Sequence, residues 1–307
     1  MSGRRVLVTG GAGLVGLAVR RALAARGDRA LAVDMTDFGR DDPGLVRLSF
    51  AQMDALEAHL AAGPVDAIVH AGAVSSPVMA RDTPLAIVDV NVTATARLLD
   101  IARRQGIGRF VFCSSHVVYG DVGAGLIDEE RAPHPATAYA ASKVAGEALV
   151  ECFARDYGVP GVSLRITRVY GPHRRANCFL REIIRDAAAG RPTVIPCDPA
   201  FPYHFIHVDD VAGAILAALD APALPFGALN VTSGERLTMP EVAAIARRVL
   251  PAARIELVEG RDPAPEVQED FSLARIAAAL GWRPRLPLSE GFAAYAAAMP
   301  EPEAIPA

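Results

Sequence analysis

The chain is poor in most of what marks a specialised protein. It has one tryptophan, 6% aromatic residues and four cysteines in 307 residues. Cys113, Cys152, Cys178 and Cys197 are scattered without a C-x-x-C pair, so reduced thiols are expected, with Cys113 in the core. The seven histidines show no paired spacing on a helix, and no metal site is expected. Neither charge is in large excess: 31 Lys and Arg against 35 Asp and Glu give a net charge of −4, with no basic footprint for nucleic acid. No apolar run approaches ~18 residues, so none reads as a membrane span. The first residues, MSGRRVLVTGG, lack a long apolar stretch ending in a cleavage site, and a cytoplasmic location is expected. What remains is an ordinary globular composition, 51% hydrophobic and 21% charged, with material for one large domain or two lobes sharing a core.

The first half alternates short apolar runs with helical patterns. RRVLVT, RALAVD, VDAIVHAG, RFVFCSS and GVSLRIT read as strands, with helices over about 14–26 and 138–157 and another ending near Gly106. Continuously apolar strands separated by helices imply a parallel sheet covered on both faces. The second half is less regular, mixing TVIPC, HFIHV and ALNVTS with helices near 211–219 and 239–249, then a Pro-rich tail.

The stretch VTGGAGLVG places Gly10, Gly13, Leu14, Val15 and Gly16 at the first strand-to-helix turn. Missing side chains there let the backbone approach a pyrophosphate, and the helix N-terminus supplies amide donors. Tight turns also need glycine, so the triplet is decided by its context. Asp34 ends the second strand about 20 residues on, where an acid binds both hydroxyls of an adenine ribose and repels a 2′-phosphate. NAD is therefore expected over NADP. Arg40 is nearby, surrounded by Asp37, Asp41 and Asp42.

In TAYAASKVAGE, Tyr139 and Lys143 fall four apart on a helical pattern and share a face. A phenol is a poor base at neutral pH, with an ordinary pKa of about 10. A cation beside it stabilises the phenolate, which can then take a proton from a hydroxyl.

The glycine turn, CSSHVVYG (113–120) and Tyr139-x-x-x-Lys143 together resemble the extended short-chain dehydrogenase/reductase superfamily, in its NAD-dependent epimerase/dehydratase branch. HAGA (70–73), NVTATARLL (91–99), LRITRVYGP (164–172), FIHVDDVAGAI (205–215), NVTSGERLTMPEV (230–242) and ARIAAALGWRPRLPLSEGF (274–292) continue the likeness over about residues 4 to 295. The resemblance implies an α/β fold: a Rossmann-type doubly wound parallel sheet over 1–170, and a smaller C-terminal substrate-binding lobe over 171–300 with segments returning to the sheet. A flexible tail, 301–307, is expected to follow. Tyr139 is then the acid/base. Lys143 binds the nicotinamide ribose and lowers the tyrosine pKa. Ser115, four residues before the Tyr of V-Y-G, hydrogen-bonds the reacting oxygen. Ser114 lies toward the nicotinamide, Ala71, Gly72 and Ala73 run past the cofactor, and Asn91 is the family's active-site asparagine, at the cofactor or substrate or structural.

The same resemblance bounds the reaction. Sugar 4,6-dehydratases carry an Asp-Glu pair where this chain has His116 and Val117, so that activity is not expected. Nucleotide-sugar epimerases carry a diphosphate-binding Arg before FIHV-D, where this chain has Tyr203 and His204. Arg174, Arg175 and Asn177 fall where the family builds its substrate pocket, and would bind a diphosphate or a carboxylate, or face solvent. The expected enzyme oxidises or epimerises a hydroxyl of a sugar, sugar acid or nucleotide sugar by hydride transfer to NAD, with His116, Arg174, Asn177 and Tyr203 as substrate contacts. The alternatives are an NDP-sugar 4-epimerase specifically, or a cofactor-binding protein without catalysis. A homodimer through the helix after Pro84 and the helix bearing Tyr139 is also implied.

Overall fold

The computed structural model describes residues 3–50, 52–75, 84–176, 178–261 and 266–299. From Arg5 to Ile166 strands and helices alternate: β1 (Arg5–Thr9), α1 (Leu14–Ala25), β2 (Arg29–Asp34), β3 (Leu45–Arg47), α2 (Met53–Leu60), β4 (Ala67–His70), α3 (Pro84–Ile87), α4 (Ala94–Gln105), β5 (Phe110–Ser115), α5 (Ala138–Tyr157) and β6 (Gly161–Ile166). The rest runs β7 (Arg168–Tyr170), α6 (Phe179–Ala188), β8 (Pro192–Cys197), β9 (Pro202–Tyr203), β10 (Phe205–His207), α7 (Val208–Asp220), β11 (Ala228–Val231), β12 (Leu237–Thr238), α8 (Met239–Val249), β13 (Arg254–Glu259), α9 (Ala274–Leu280) and α10 (Leu288–Ala298).

Seven strands form one parallel sheet in the order β11-β6-β5-β4-β1-β2-β3. Its central strands are buried at every residue, which is why AIVH, FVFCSS and GVSLRI read as unbroken apolar runs rather than alternating ones. Alternate side chains still go to opposite faces. Val6 and Val8 pack toward α1 and α7, while Leu7, Ile68, Phe110 and Phe112 pack toward α2, α4 and α5. The chain order reverses between β1 and β4, and in such sheets ligands bind in the crevice beyond the carboxyl ends at that point.

Local sequence sets the helix ends. Thr137 caps α5 by accepting from the Ala140 amide at 3.1 Å, and the helix closes at Gly158 in the left-handed conformation, φ 67°. Thr238 and Glu241 form a capping box on α8, with Pro240 in its first turn.

A second core gathers α6, β8, Tyr203, Phe205, α8 and α10. Residues beyond 170 also complete the first core: α7, β11, Ile276 and Trp282 all pack on the main sheet. Two elements were not anticipated in the first half, β3 and α2. The Pro-rich tail proves to contain β13, α9 and α10. Pro287 stands at the N-cap of α10, where a missing N–H costs nothing, and the Ala-rich helix follows it.

Helix α5 approaches β5 at Gly146, where an added Cβ would overlap the buried Phe112 ring. Alanine there gains about 1 kcal/mol of helix propensity but overpacks a rigid ring, which costs about 1–3 kcal/mol. Gly146→Ala is expected to lower the thermal midpoint and to reduce turnover with it, since α5 carries Tyr139 and Lys143. A scanning calorimetry trace with an unchanged or raised midpoint would show the contact to be compliant.

Candidate active site

The glycine turn lies at the switch point. Gly10 has φ 67°, and a Cβ on it would stand 2.7 Å from the Gly72 amide nitrogen, so β1's turn and the segment after β4 touch backbone to backbone. A Cβ on Gly16 would overlap the Gly10 carbonyl, so α1 starts hard against the turn. No side chain caps α1 at Gly13, and an uncapped helix N-terminus is what an anion requires. Asp34 closes the far side. Its carboxylate accepts from the Ala12 amide at 3.1 Å and the Thr36 amide at 3.3 Å. Burial raises its pKa, opposed by these amides and by the Arg40 guanidinium.

A buried polar chain fixes the floor. The Thr9 hydroxyl pairs with His70 Nδ1 at 2.7 Å and accepts from the Gly72 amide at 3.2 Å, while His70 Nε2 pairs with the Thr95 hydroxyl at 2.9 Å. Burial and Lys143 hold His70 neutral, its pKa pushed down to about 3. Ala71, Gly72 and Ala73 thus pass the crevice on a pinned backbone.

Of the roles left open for Asn91, its bonds are those of the structural one. It lies in a π-helical stretch, Val88–Thr93, and its amide is spent on protein partners. Its Oδ1 accepts from Val74 N at 2.8 Å, and its Nδ2 donates to Val74 O at 3.1 Å and to Ser142 Oγ at 2.9 Å. It ties the loop after β4 to α5. The Ser114 hydroxyl donates to Glu147 at 2.5 Å, and Glu147 pairs with the buried Arg165 at 2.8 Å.

Ser115, Tyr139 and Lys143 are brought together. Ser115 ends β5 and caps the 3-10 turn His116–Tyr119, and its hydroxyl is near enough to the Tyr139 phenol to favour the phenolate. Lys143 is 4% exposed, and its ammonium donates to the Cys113 carbonyl at 2.7 Å, lying 4.8 Å from the Phe112 ring centroid and 5.8 Å from that of Tyr139. Burial is the dominant influence on both titratable groups. It pushes the phenol up to about 12, against the help of Ser115, and the ammonium down to about 8, against Cys113 and Glu147. The expected lowering of the tyrosine by its lysine is therefore not what this structure shows: burial dominates, and Ser115 rather than Lys143 is the group that opposes it.

His116 is buried, with Nδ1 2.5 Å from Gln268 Oε1. The Gln268 amide donates to the carbonyls of His116 and Gly120, both at 3.0 Å, so Oε1 is its acceptor and His116 Nδ1 carries the proton. Arg174 donates to the Val169 carbonyl, and Arg175 donates to the Phe38 carbonyl at 2.9 Å. Asn177 lies outside the described residues. Tyr203 is corrected: its ring is fully buried in the second core, stacked on Phe205 at 5.8 Å with Phe201 at 5.0 Å, and presents no surface to a ligand. Glu147, Arg165 and Gln268 were missed. Glu147 follows Lys143 by one helical turn, a spacing that could have shown it; Gln268 meets its partner from 152 residues away and leaves no local signal.

A glycine-lined switch point beside a Ser, Tyr and Lys cluster defines a dinucleotide-dependent oxidoreductase site. The chain belongs to the NAD dependent epimerase/dehydratase family, whose model matches residues 6–231. It is an NAD-dependent enzyme of the extended short-chain dehydrogenase/reductase type. It is 30% identical to the UDP-glucose 4-epimerase of Mycolicibacterium smegmatis, over 94% of this chain and 96% of that one. It is 31% identical to the dTDP-glucose 4,6-dehydratase of Mycobacterium tuberculosis strain H37Rv, over 79% and 77%. Among solved structures, the UDP-glucose 4-epimerase of Thermus thermophilus, a complex with NAD, superposes with a TM-score of 0.86 at 27% identity, covering 96% of this chain and 98% of that one. Among the described residues no helix is long and apolar enough to cross a membrane, no His, Cys, Asp or Glu cluster could hold a metal, and the four cysteines are free.

Burial of Lys143 carries a pH signature. With a folded pKa of about 8 against 10.5 when exposed, the unfolded chain binds more protons than the folded one between those values, so this group makes stability rise with pH there. Cys113 and Tyr139, both raised to about 12, act oppositely above pH 9 and 10. The comparison with Lys143→Met isolates the lysine. In urea unfolding from pH 7.5 to 10, the wild type should gain on the variant by about 1 kcal/mol per pH unit within the window. A difference independent of pH would mean that the ammonium is solvated.

Proposed function

We propose that the protein oxidises a hydroxyl of a sugar, sugar acid or nucleotide sugar and either returns the hydrogen on the opposite face or releases the oxidised product. The observation that carries this is the Ser115–Tyr139–Lys143 cluster at the carboxyl end of β5, beside the glycine turn. Similarity to the UDP-glucose 4-epimerases supports the nucleotide-sugar arm.

The residues fit the dinucleotide: two positions where a Cβ would fill the cradle, an uncapped helix start, and an acid at the ribose position. Gly10, Gly13, Leu14, Val15 and Gly16 would hold the diphosphate, Asp34 the adenine ribose, and Ala71–Ala73 would flank it. NAD, when bound, supplies the hydride acceptor and a positive charge beside Tyr139. Tyr139 takes the proton from the substrate hydroxyl and Ser115 holds the reacting oxygen. Lys143, steadied by the Cys113 carbonyl, would hold the nicotinamide ribose. Ser114 and Asn91 act through Glu147 and Ser142, positioning the strand end and the helix rather than touching ligand. Elimination of water is not part of this reading, because Val117 has no ionisable group and the buried His116 commits its Nδ1 proton to Gln268. The intact cluster weighs against a cofactor-binding protein that has lost catalysis.

A smaller substrate-binding lobe built on the second core, a cytoplasmic location and a homodimer complete the proposal. The dimer is supported by Leu85 and Val88, 74% and 47% exposed on the segment leading into α4. Light scattering at micromolar concentration should give twice the chain mass; the mass of one chain would exclude it.

The decisive assay offers UDP-glucose, UDP-glucuronic acid, free sugar acids and polyols with NAD. Tyr139→Phe should lose about 10²–10⁴-fold in turnover on whichever substrate responds, with NAD affinity retained. Near wild-type turnover in that variant would end the mechanism.

A further inference from the structure

The residue that follows Ser115 carries an imidazole whose two nitrogens are placed differently. His116 is 8% exposed and opens the 3-10 turn beyond the carboxyl end of β5, where Ser115 and Tyr139 stand. Its Nδ1 is committed to Gln268 Oε1 at 2.5 Å, and the Phe271 ring meets it edge-on at 6.2 Å between centroids. Nε2 makes no hydrogen bond among the described residues, and it is not sealed in the core. With the proton on Nδ1, Nε2 is a bare lone pair, able only to accept, beside the reacting centre.

Gln268 is held so that it fixes this tautomer. It is 1% exposed, and its amide donates to the His116 and Gly120 carbonyls, both at 3.0 Å, so the group cannot turn over and an oxygen faces the ring. Its backbone is fixed as well. The Val122 amide donates to the Val267 carbonyl at 2.7 Å, and the Val267 amide to Asp121 Oδ1 at 2.8 Å. His204 Nε2 pairs with the Gln268 carbonyl at 2.9 Å. A glutamine that only joined its segment to the 116–120 turn would need no more than the two carbonyls; the third bond, to the ring, sets the proton. The ionisable groups facing His116 are Arg168 from β7, its guanidinium 5.2 Å from the Tyr203 ring centroid, and His204 just before β10. Burial pushes the His116 pKa down to about 3; Gln268 opposes this, and Arg168 and His204 add to the fall.

We propose that His116 Nε2 accepts a hydrogen bond from the substrate hydroxyl next to the one that Tyr139 deprotonates, so that the site selects a vicinal diol, with Gln268 positioning the acceptor by fixing its tautomer. This rests on the function proposed above and names a substrate feature which that reading leaves open. Ser115 and His116 are successive, their Cα atoms about 3.8 Å apart, a spacing that suits oxygens on adjacent carbons. A hydroxyl satisfies a bare lone pair. A deoxygenated carbon leaves it desolvated and unpaired, and a keto or carboxylate oxygen sets lone pair against lone pair. An imidazole free to change tautomer would take oxygens of either kind, so the bond to Gln268 is what makes the residue selective.

Two measurements test this. In the nitrogen NMR spectrum of the histidine-labelled protein near neutral pH, the His116 signals, identified by their loss in His116→Phe, should show a protonated Nδ1 and a bare Nε2. A proton on Nε2 in the wild type overturns the proposal, whatever the substrate. The second takes whichever of UDP-glucose, UDP-glucuronic acid, the free sugar acids and the polyols turns over, and compares it with its analogue deoxygenated at the carbon beside the one oxidised. The wild type should prefer the parent by at least about 10-fold in kcat/KM, and His116→Phe should take both within about 2-fold. Gln268→Glu sets a carboxylate against Nδ1 and draws a second proton onto the ring, which turns Nε2 into a donor. Its preference for the parent should be small near about pH 6 and recover as the ring deprotonates on raising the pH; the ratio of parent to analogue is blind to the titration of Tyr139, which both share. A wild type indifferent to the missing hydroxyl, a preference that survives in His116→Phe, or one that does not change with pH in Gln268→Glu overturns the proposal. A wild type that turns over none of these compounds overturns instead the functional reading beneath it, and the tautomer still decides the role of Gln268.

Discussion

The contact of α5 with β5 governs the site. Gly146 lets the helix lie on Phe112, and at that distance the Lys143 ammonium reaches the Cys113 carbonyl while Tyr139 reaches Ser115. One strand thereby supplies a carbonyl and a hydroxyl, and one helix face the phenol and the ammonium that meet them. The arrangement is costly in solvation, as the opposed displacements of the two pKa values show. Structure elsewhere in the chain holds these groups in place against that cost.

Two polar networks do so from opposite sides. Thr9, His70 and Thr95 tie the end of β1 to α4 through β4, and Asn91 carries the connection on to α5. Glu147 and Arg165 bind α5 to β6 and take the Ser114 hydroxyl with them, while the Arg165 guanidinium stacks 4.6 Å from the Tyr119 ring centroid. Neutral bonds of this kind contribute about 1 kcal/mol each, yet breaking one partner of a buried ion pair costs about 3–5 kcal/mol. The networks fix geometry more than they add stability.

Much of this was legible in the residues. Six of the seven strands of the main sheet, the whole of α5 and α8 and the glycine turn follow from apolar periodicity and turn chemistry, signals that lie within a few residues of one another. Elements with weak local signals were not legible: β3 is three residues long, and α10 hides behind its prolines. Positions whose role is set by distant partners were left open or misread. Asn91 is polar and at a motif, but its amide is claimed by Val74 and Ser142. Tyr203 lies where a ligand contact was expected, but the aromatic neighbours that bury it come from α6 and from its own strand's surroundings.

The strand β11 has one more consequence. It pairs with β6 in parallel, yet α6, β8, β9, β10 and α7 lie between them in the chain. One half of the second core, α6, β8 and β10, is thus threaded between two neighbouring strands of one sheet, and the other half, α8 and α10, follows β11. Closing the sheet at that edge means closing a long loop, and such high-contact-order steps are slow and come late in folding. A nascent chain that has emerged only as far as β6 exposes a hydrophobic strand edge with no partner, an invitation to aggregation that lasts until β11 has been made.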